Sequence, residues 1–545
     1  MKKRPNIVCF IMDDTDFLNL SVYGGNIPTP NIDKIGRNGA VFTNFHCSAS
    51  VCTPSRYTYM SGRYAGRCTY DAFLKENPPD DLYNIGWNVV LTENDPVSLG
   101  RILSEAGYRT GYVGKWHAGR PVHRLNLPEF DENEDPSDTQ TDQKLKIHQE
   151  KLCTELKKSL GFDYAGAIYW NNAEALPLKS LRYHNIDWIT DEALNFIDTA
   201  EKDDPEPFFL YMATTTYHGP DHAASFEQNP EITPGGINKN LKKYSEIRRN
   251  IKKQIHDLGL PFNHRTVGML WTDKAFQAVM DKIITSGAAD NTIFIFSVDH
   301  NTENGKATCY ETGVKIPFMI TWPGMIQKGT VINSLTQNID LLPTLLDAAG
   351  IQNTDKYPVD GKSMLPLFND NKIEIHDDLF FEFGYSRAVK AGNWKYIAVR
   401  YTREIYEKLA DGTLKEVPNL SNMPEQGQAK INIHAFENCL EPDQLYNLST
   451  DPLEQNNLAE LPEYKEKLQE MKQRLKKYTD SFMHPFPETP HPFHKSRKFR
   501  QLLEKTKKNH PAETIPWYNK DKTIQRGWPL DFKSLLKKNK FNDSE

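Results

Sequence analysis

Strand-length apolar runs alternate with amphipathic stretches through roughly the first 370 residues. The runs are Asn6–Met12, 109–113, Phe208–Ala213, Thr292–Val298 and 317–321. Between them, 96–106, 188–200, 272–285 and 339–349 show helical periodicity, and Gly107, Gly287 and Gly350 stand where a left-handed helix cap is wanted. Continuous apolar strands separated by helices read as an α/β fold with a largely parallel sheet buried on both faces. Past residue 370 the pattern changes. Segments 380–383, 386–390 and 394–399 follow one another with breaks at Gly384 and Gly392-Asn393, and a helix is expected over 463–478. The expected organisation is a large domain over 1–370, a smaller antiparallel domain with a helix over 371–480, and a basic extension over 481–545 that wraps the surface. Segment 131–158 reads as a polar excursion or surface helix, and 228–264 as an insertion on the rim.

Composition excludes several classes. With 38% hydrophobic and 25% charged residues the chain is neither disordered nor a membrane protein, and no apolar run approaches a spanning length of about 20 residues. No membrane span and no nucleic-acid partner are expected. Net charge is −6, yet residues 495–545 carry fourteen Lys/Arg against six Asp/Glu, which leaves the body acidic. The seven cysteines show neither a CxxC pair nor zinc spacing, so no disulfide framework or structural zinc is indicated. The chain runs from Met1-Lys2-Lys3-Arg4-Pro5 directly into its first strand, so it is either cytoplasmic or lacks a removed signal peptide.

Six groups of residues carry chemistry. Cys52-Thr53-Pro54-Ser55-Arg56 puts a cysteine at what would be the positive end of a helix opened by proline. On the residues alone it reads equally as a buried or mildly activated thiol. Asp13-Asp14 and Asp299-His300 each follow an apolar strand directly, at the strand end where α/β folds bind ligands. Adjacent acids in a loop are usually solvated, but two such strand ends can converge on one ion, and oxygen donors suit calcium. Gly114-Lys115-Trp116-His117 and Tyr217-His218-Gly219-Pro220 also follow strands, although loop Lys and His residues often merely face solvent or satisfy local hydrogen bonds. Lys306 lies in Gly305-Lys306-Ala307-Thr308-Cys309-Tyr310-Glu311-Thr312-Gly313-Val314-Lys315-Ile316-Pro317, and Lys315 is read as structural. The last group, Gln444-Leu445-Tyr446-Asn447 with Asp451-Pro452 and Glu454, looks architectural.

Together these segments resemble the type I, formylglycine-dependent sulfatases, bacterial polysaccharide sulfatases among them. The strongest match is Cys52 to Arg63, the family's Cys-x-Pro-x-Arg signature with its helix ending in Gly-Arg, and the landmarks run in family order over most of the chain. The resemblance implies an alkaline-phosphatase-like fold, a large mixed and mostly parallel sheet flanked by helices. It implies that a maturation enzyme oxidises Cys52 to formylglycine, and that Asp13, Asp14, Asp299 and His300 bind one calcium ion per chain together with that modified residue. By the same resemblance Lys115 and Lys306 contact sulfate, Arg56 anchors residue 52, His117 is the base that releases sulfate, and His218 protonates the leaving oxygen. A periplasmic or secreted location follows from the resemblance as well. The activity expected is hydrolysis of sulfate esters by attack of the aldehyde hydrate on sulfur. Two other readings stand beside it, a phosphonate or phosphate-ester hydrolase of the same superfamily and a non-catalytic binder of sulfated glycans. A sulfated carbohydrate, part of an anionic polysaccharide, is the expected substrate. Arg120, His123, Arg124, Trp170, Asn171, Asn172 and His222 are expected around it, and the basic tail with Trp517, Tyr518 and Trp528 is read either as a steering wall or as a solvated strap.

Overall fold

The computed structural model describes residues 3–202, 206–301, 305–351, 356–418, 433 and 435–509. Eight strands form the central sheet: β1 (Asn6–Met12), β2 (Ala40–Phe42), β3 (Arg109–Lys115), β4 (Tyr164–Tyr169), β5 (Phe208–Ala213), β6 (Thr292–Val298), β7 (Phe318–Thr321) and β8 (Thr330–Ile332). Their order is β8-β2-β7-β6-β1-β5-β3-β4, and only β7 runs antiparallel to its neighbours. Every residue of β5 and β6, and all of β1 after Asn6, is buried, as near-continuous apolar runs in a sheet covered on both faces require. The sheet is therefore the mixed, mostly parallel one expected. The sequence reading lacked β2, β4 and β8. β2 and β8 have three residues each, and β4 carries Ala165-Gly166-Ala167, residues with little strand preference.

The helices that matter most are α1 (Cys52–Ser61), α2 (Ile186–Lys202) and α3 (His264–Thr285). α3 is eight residues longer at its start than its periodicity suggests. Asn263 caps it by accepting from the Thr266 amide at 3.0 Å, and Phe276 stacks on Phe10 of β1 at 4.2 Å. Segment 131–158 is largely a surface helix, Thr139–Leu160, and the rim insertion contains the helix Tyr244–Asp257.

The second sheet is an antiparallel meander of β9 (Leu379–Phe383), β10 (Ser386–Ala391), β11 (Trp394–Val399) and β12 (Asp443–Asn447), with the turns at Gly384 and Gly392 in left-handed backbone. The helix Lys465–Thr479 packs on β10 and β11. A buried ion cluster joins the two sheets. Glu311 accepts from Lys390 at 2.6 Å and Lys395 at 2.9 Å, and lies 3.4 Å from His46. Residues 481–509 pack at the end of the small sheet, where Arg400 donates to the Pro487 carbonyl at 2.9 Å, and add to the core, since Phe499 and Leu503 of the helix Arg497–Asn509 are buried. Trp517, Tyr518 and Trp528 lie outside the described residues.

β1, β5 and β6 end in step, Met12 beside Val298 and Ile11 beside Ala213. β3 carries a register shift between Val113 and Lys115, and such bulges re-aim side chains at sheet rims. Gly114 makes the shift possible. Its φ is +95°, and a Cβ there would sit 1.8 Å from the Ala213 carbonyl oxygen. Gly287, at φ +77° with open space around it, is the control. Gly287→Ala is expected to cost only the ~1–2 kcal/mol of left-handed backbone. Gly114→Ala should cost clearly more in urea denaturation and displace Lys115. Glu311→Gln should lower stability by about 3–5 kcal/mol, because it leaves two buried lysines without their carboxylate; a loss below about 1 kcal/mol would contradict the strut.

Candidate functional site

α1 begins at Cys52 itself, with Pro54 in the first turn where its missing N–H costs nothing, and ends at Gly62, whose amide bonds to the Thr58 carbonyl at 2.9 Å in left-handed backbone. Cys52 and Arg56 are one turn apart, so both face the carboxyl edge of the sheet. Arg56 is 1% exposed and spends its guanidinium on that edge. It donates to Asp299 Oδ2 at 3.1 Å, to Asp13 Oδ1 at 3.2 Å and to the Lys115 carbonyl at 3.0 Å. Ser55, its neighbour, donates to the Asp299 carbonyl at 2.5 Å.

The strand ends bring in the rest. Ligand atoms of Asp13, Asp14, Cys52 and His300 all lie within 4.8 Å of one another, and all four residues are buried. His300 Nδ1 faces the Asn301 carbonyl at 2.8 Å and Asp14 Oδ1 at 3.1 Å, which turns Nε2 toward Cys52 Sγ at 3.1 Å. Asp299 lies just outside this group of four. Its Oδ1 accepts from the amides of Asp14 at 3.1 Å and His300 at 2.9 Å, and its Oδ2 is held by Arg56. Buried carboxylate oxygens beside a lone-pair nitrogen form a donor set that fits one divalent cation.

Cations surround the cluster. Lys115, fully buried, contacts Asp13, stands 3.7 Å from Cys52 Sγ and donates to Asn172 Oδ1 at 2.5 Å. Lys306 reaches both oxygens of Asp14 at 2.7 and 2.6 Å. Burial pushes the Asp13 carboxyl up, but Lys115 and then Arg56 outweigh it and hold the group well below the usual carboxylate range. Burial likewise pushes the Cys52 thiol well above its ordinary value, with Lys115 pulling the other way and Asp13 and Asp299 adding to the rise. Burial and the carboxylates both disfavour the thiolate, the nucleophilic form of the residue.

The two histidines sit differently. His117 is held in left-handed backbone at φ +54°, its amide bonded to the Trp170 carbonyl at 3.2 Å and its Nδ1 without a hydrogen-bond partner. Burial, then Lys115, lowers its pKa well below that of a free imidazole. The described contacts include no hydrogen bond from it to Cys52. His218 is 22% exposed, at the mouth, with Nδ1 3.1 Å from the Gly219 carbonyl, Nε2 3.1 Å from Asn172 Nδ2 and 3.7 Å from Asp14, and Glu174 3.8 Å from Nδ1.

Asn172 thus bridges Lys115 and His218, a role its sequence position does not announce. It follows β4, a strand the sequence reading lacked. Several other residues expected at the substrate are buried or already engaged. Arg120 is committed to Glu93 and Glu155. Trp170 is 8% exposed and donates its indole N–H to the Arg120 carbonyl at 2.7 Å, so it offers no open ring. His222 is fully buried and stacks on His264 at 4.0 Å. His123, Arg124 and Asn171 are exposed. Lys315 keeps its structural role. It belongs to the ion cluster between the sheets, where burial and then Lys390 bring its pKa down to about 7.

Comparison with known proteins agrees with this geometry. Residues 5–351 match the sulfatase family, and residues 303–430 match the carboxy-terminal region of N-sulphoglucosamine sulphohydrolase. An ulvan-active sulfatase of Formosa agariphila is 25% identical over 481 residues, covering 85% of this chain and 78% of its own. The N-acetylgalactosamine-6-sulfatase of Mus musculus is 25% identical over 496 residues, covering 88% and 87%. A solved structure in complex with its substrate D-glucosamine-2-N,6-O-disulfate shares the fold with TM-score 0.57 at 17% identity, covering 89% of this chain and 99% of that one. With the Cys52–Arg56 helix, the converging strand ends and a match across most of the large domain, the chain belongs to the sulfatase family of sulfuric ester hydrolases.

Proposed function

We propose that the chain hydrolyses sulfate esters of a carbohydrate, with Cys52 converted to formylglycine by a separate maturation enzyme and one calcium ion held beside it. The observation that carries this is the placement of Cys52: first residue of a helix, buried, 3.1 Å from His300 and 3.7 Å from Lys115, within a ring of carboxylates. A buried thiol ringed by carboxylates is a weak nucleophile, and conversion of residue 52 to a hydrated aldehyde gives the charges buried around it a catalytic use. Asp13, Asp14, Asp299 and His300 would hold the ion. When bound, calcium supplies positive charge to the sulfate oxygens and formylglycine supplies a hydrated-aldehyde hydroxyl as nucleophile.

The chain's own groups do the rest. Lys115, fixed by Asp13 and Asn172, and Lys306, fixed by Asp14, neutralise charge on the equatorial sulfate oxygens from positions set before substrate arrives. Arg56 bridges Asp13 and Asp299 and anchors the helix start that bears residue 52. His117, buried and neutral, accepts a proton from a hydroxyl on the residue 52 side chain. His218 Nδ1 donates to the Gly219 carbonyl and Nε2 accepts from the Asn172 amide, so Nε2, once it has taken up a proton in place of that bond, is the atom that hands one to the departing alcohol.

The carbohydrate assignment is supported by the relatives. Some bear the names ulvan-active sulfatase and N-acetylgalactosamine-6-sulfatase, and neighbouring folds were solved with a sulfated glucosamine and a neocarrahexaose. A periplasmic or secreted location rests on the same family. Among the described residues no helix is long and apolar enough to cross a membrane. A phosphonate hydrolase would share the metal and Cys52, but the paired lysines around one ion favour sulfate. A pure binder has no need of a buried Cys52 or His117.

After co-expression with a formylglycine-generating enzyme, the peptide bearing residue 52 should appear in mass spectrometry as aldehyde or hydrate. Aryl sulfate should then be turned over in preference to aryl phosphonate, and Cys52→Ala should abolish turnover with the fold intact by circular dichroism. Activity with residue 52 still a thiol would sink the mechanism. Asp14→Asn should lose metal, read by elemental analysis, together with activity. Two zinc ions per chain would instead favour the phosphatase branch.

A further inference from the structure

A cavity of about 410 Å³ opens between the 76–88 loop and the small sheet, and none of its lining residues belongs to the candidate catalytic set. Small-molecule sites have volumes of about 300–1,000 Å³. Its lining chemistry is selective. The half-buried Trp87 and the buried Tyr385 line it together with Glu76, Asp81 and Glu404 and the amide of Asn88, and no lysine or arginine takes part. Glu404 pairs with Lys408 at 2.5 Å, but Glu76 and Asp81 make no ion pair among the described residues, so the wall stays acidic and repels sulfate and uronate groups. Carboxylate and amide oxygens accept readily from hydroxyls, and an indole presents an apolar surface to the C–H face of a sugar ring.

The wall is built before any ligand arrives. Asn77 bonds to the Phe73 carbonyl at 2.9 Å and accepts from the Asn84 amide at 2.8 Å; Asn88 accepts from the Gly86 amide at 3.1 Å and donates to the Asn84 carbonyl at 3.1 Å. Trp87 stands between the last two, edge-on to Phe383 of β9 at 6.4 Å. A loop so tied has little freedom to lose on binding. Both walls also lead to the catalytic loops. The amide of Leu91 bonds to the carbonyl of Ala118, next to His117, at 3.0 Å. Ser386, next to Tyr385, lies 3.5 Å from the sulfur of Cys309, three residues after Lys306.

We infer that this cavity is a subsite for an uncharged sugar unit of the polymer whose sulfate ester is cut, so that the substrate carries neutral units as well as sulfated ones. The inference rests on the carbohydrate reading, and the test separates the two. Tryptophan fluorescence of the Cys52→Ala chain is titrated with unsulfated galacto-, gluco- and xylo-oligosaccharides and with their sulfated counterparts, at low and high salt. One neutral series should bind with the same affinity at both salt concentrations, as expected for an uncharged ligand. Its affinity should fall about tenfold in Trp87→Ala and less in Trp87→Phe. Glu404→Lys, at an exposed position that cannot unfold the chain, should admit sulfated oligosaccharides in a salt-dependent way. In otherwise wild-type matured enzyme Trp87→Ala should leave aryl sulfate turnover unchanged, which tests the catalytic reading by itself. Failure of all three neutral series to bind, or neutral binding indifferent to both Trp87 variants, overturns the subsite whatever happens to aryl sulfate.

Discussion

Arg56 is the group on which the site depends. It has no exposure to speak of, and its planar fork joins the ends of three strands: Asp13 after β1, Asp299 after β6, and the carbonyl of Lys115 at the end of β3. A lysine could not do this, because a point charge on a flexible stem cannot hold two carboxylates and a carbonyl in fixed directions at once. Arg56 is also one helical turn from Cys52, so the same guanidinium that gathers the strand ends sets where residue 52 sits relative to them. Stability and placement are thereby coupled, since any change that moves the fork moves acids, lysine and residue 52 together.

Such a site is costly. Asp13, Asp299, His300 and Lys115 are all fully buried, and buried charges lower stability unless each finds its partner. Here the partners are mutual: Lys115 on Asp13, Lys306 on Asp14, Arg56 on Asp13 and Asp299. The cost is offset by the centre of the sheet, where three parallel strands of nearly unbroken apolar sequence are buried on both faces directly beneath. The strands that look most ordinary in the sequence are the ones that make the charged rim possible.

How much of this was legible follows from the same division. β1, β5 and β6 could be read because continuous burial writes a continuous apolar run, and the acids directly after β1 and β6 marked the rim. β4 could not, since Ala165-Gly166-Ala167 carries no strand signal. The loop after β4 holds Asn172, and so the bridge between Lys115 and His218 went unseen with it. The residues expected to face substrate were the least readable. Arg120 and Trp170 had the right chemistry for a sugar, but each is consumed by partners distant in sequence, Glu93 and Glu155 for one and a backbone carbonyl for the other. A side chain's type says what it can bind, whereas only the fold says whether it is still available.

The ion cluster between the sheets extends the coupling to the small domain. Glu311 lies five residues after Lys306 in the same loop, and its carboxylate is gripped by Lys390 of β10 and Lys395 of β11. Glu454, from the carboxy-terminal segment, accepts from the Glu311 amide at 2.6 Å, so backbone and side chain are both tied to the small sheet. Lys306 is then positioned from two sides, by Asp14 at its tip and by the small sheet through the loop that carries it. In this architecture the meander does more than pack against the large sheet. It fixes one of the two lysines that surround the carboxylate cluster, and this gives a physical reason why a chain whose Cys52, candidate metal ligands and candidate histidines all gather at the edge of the large sheet carries a second sheet.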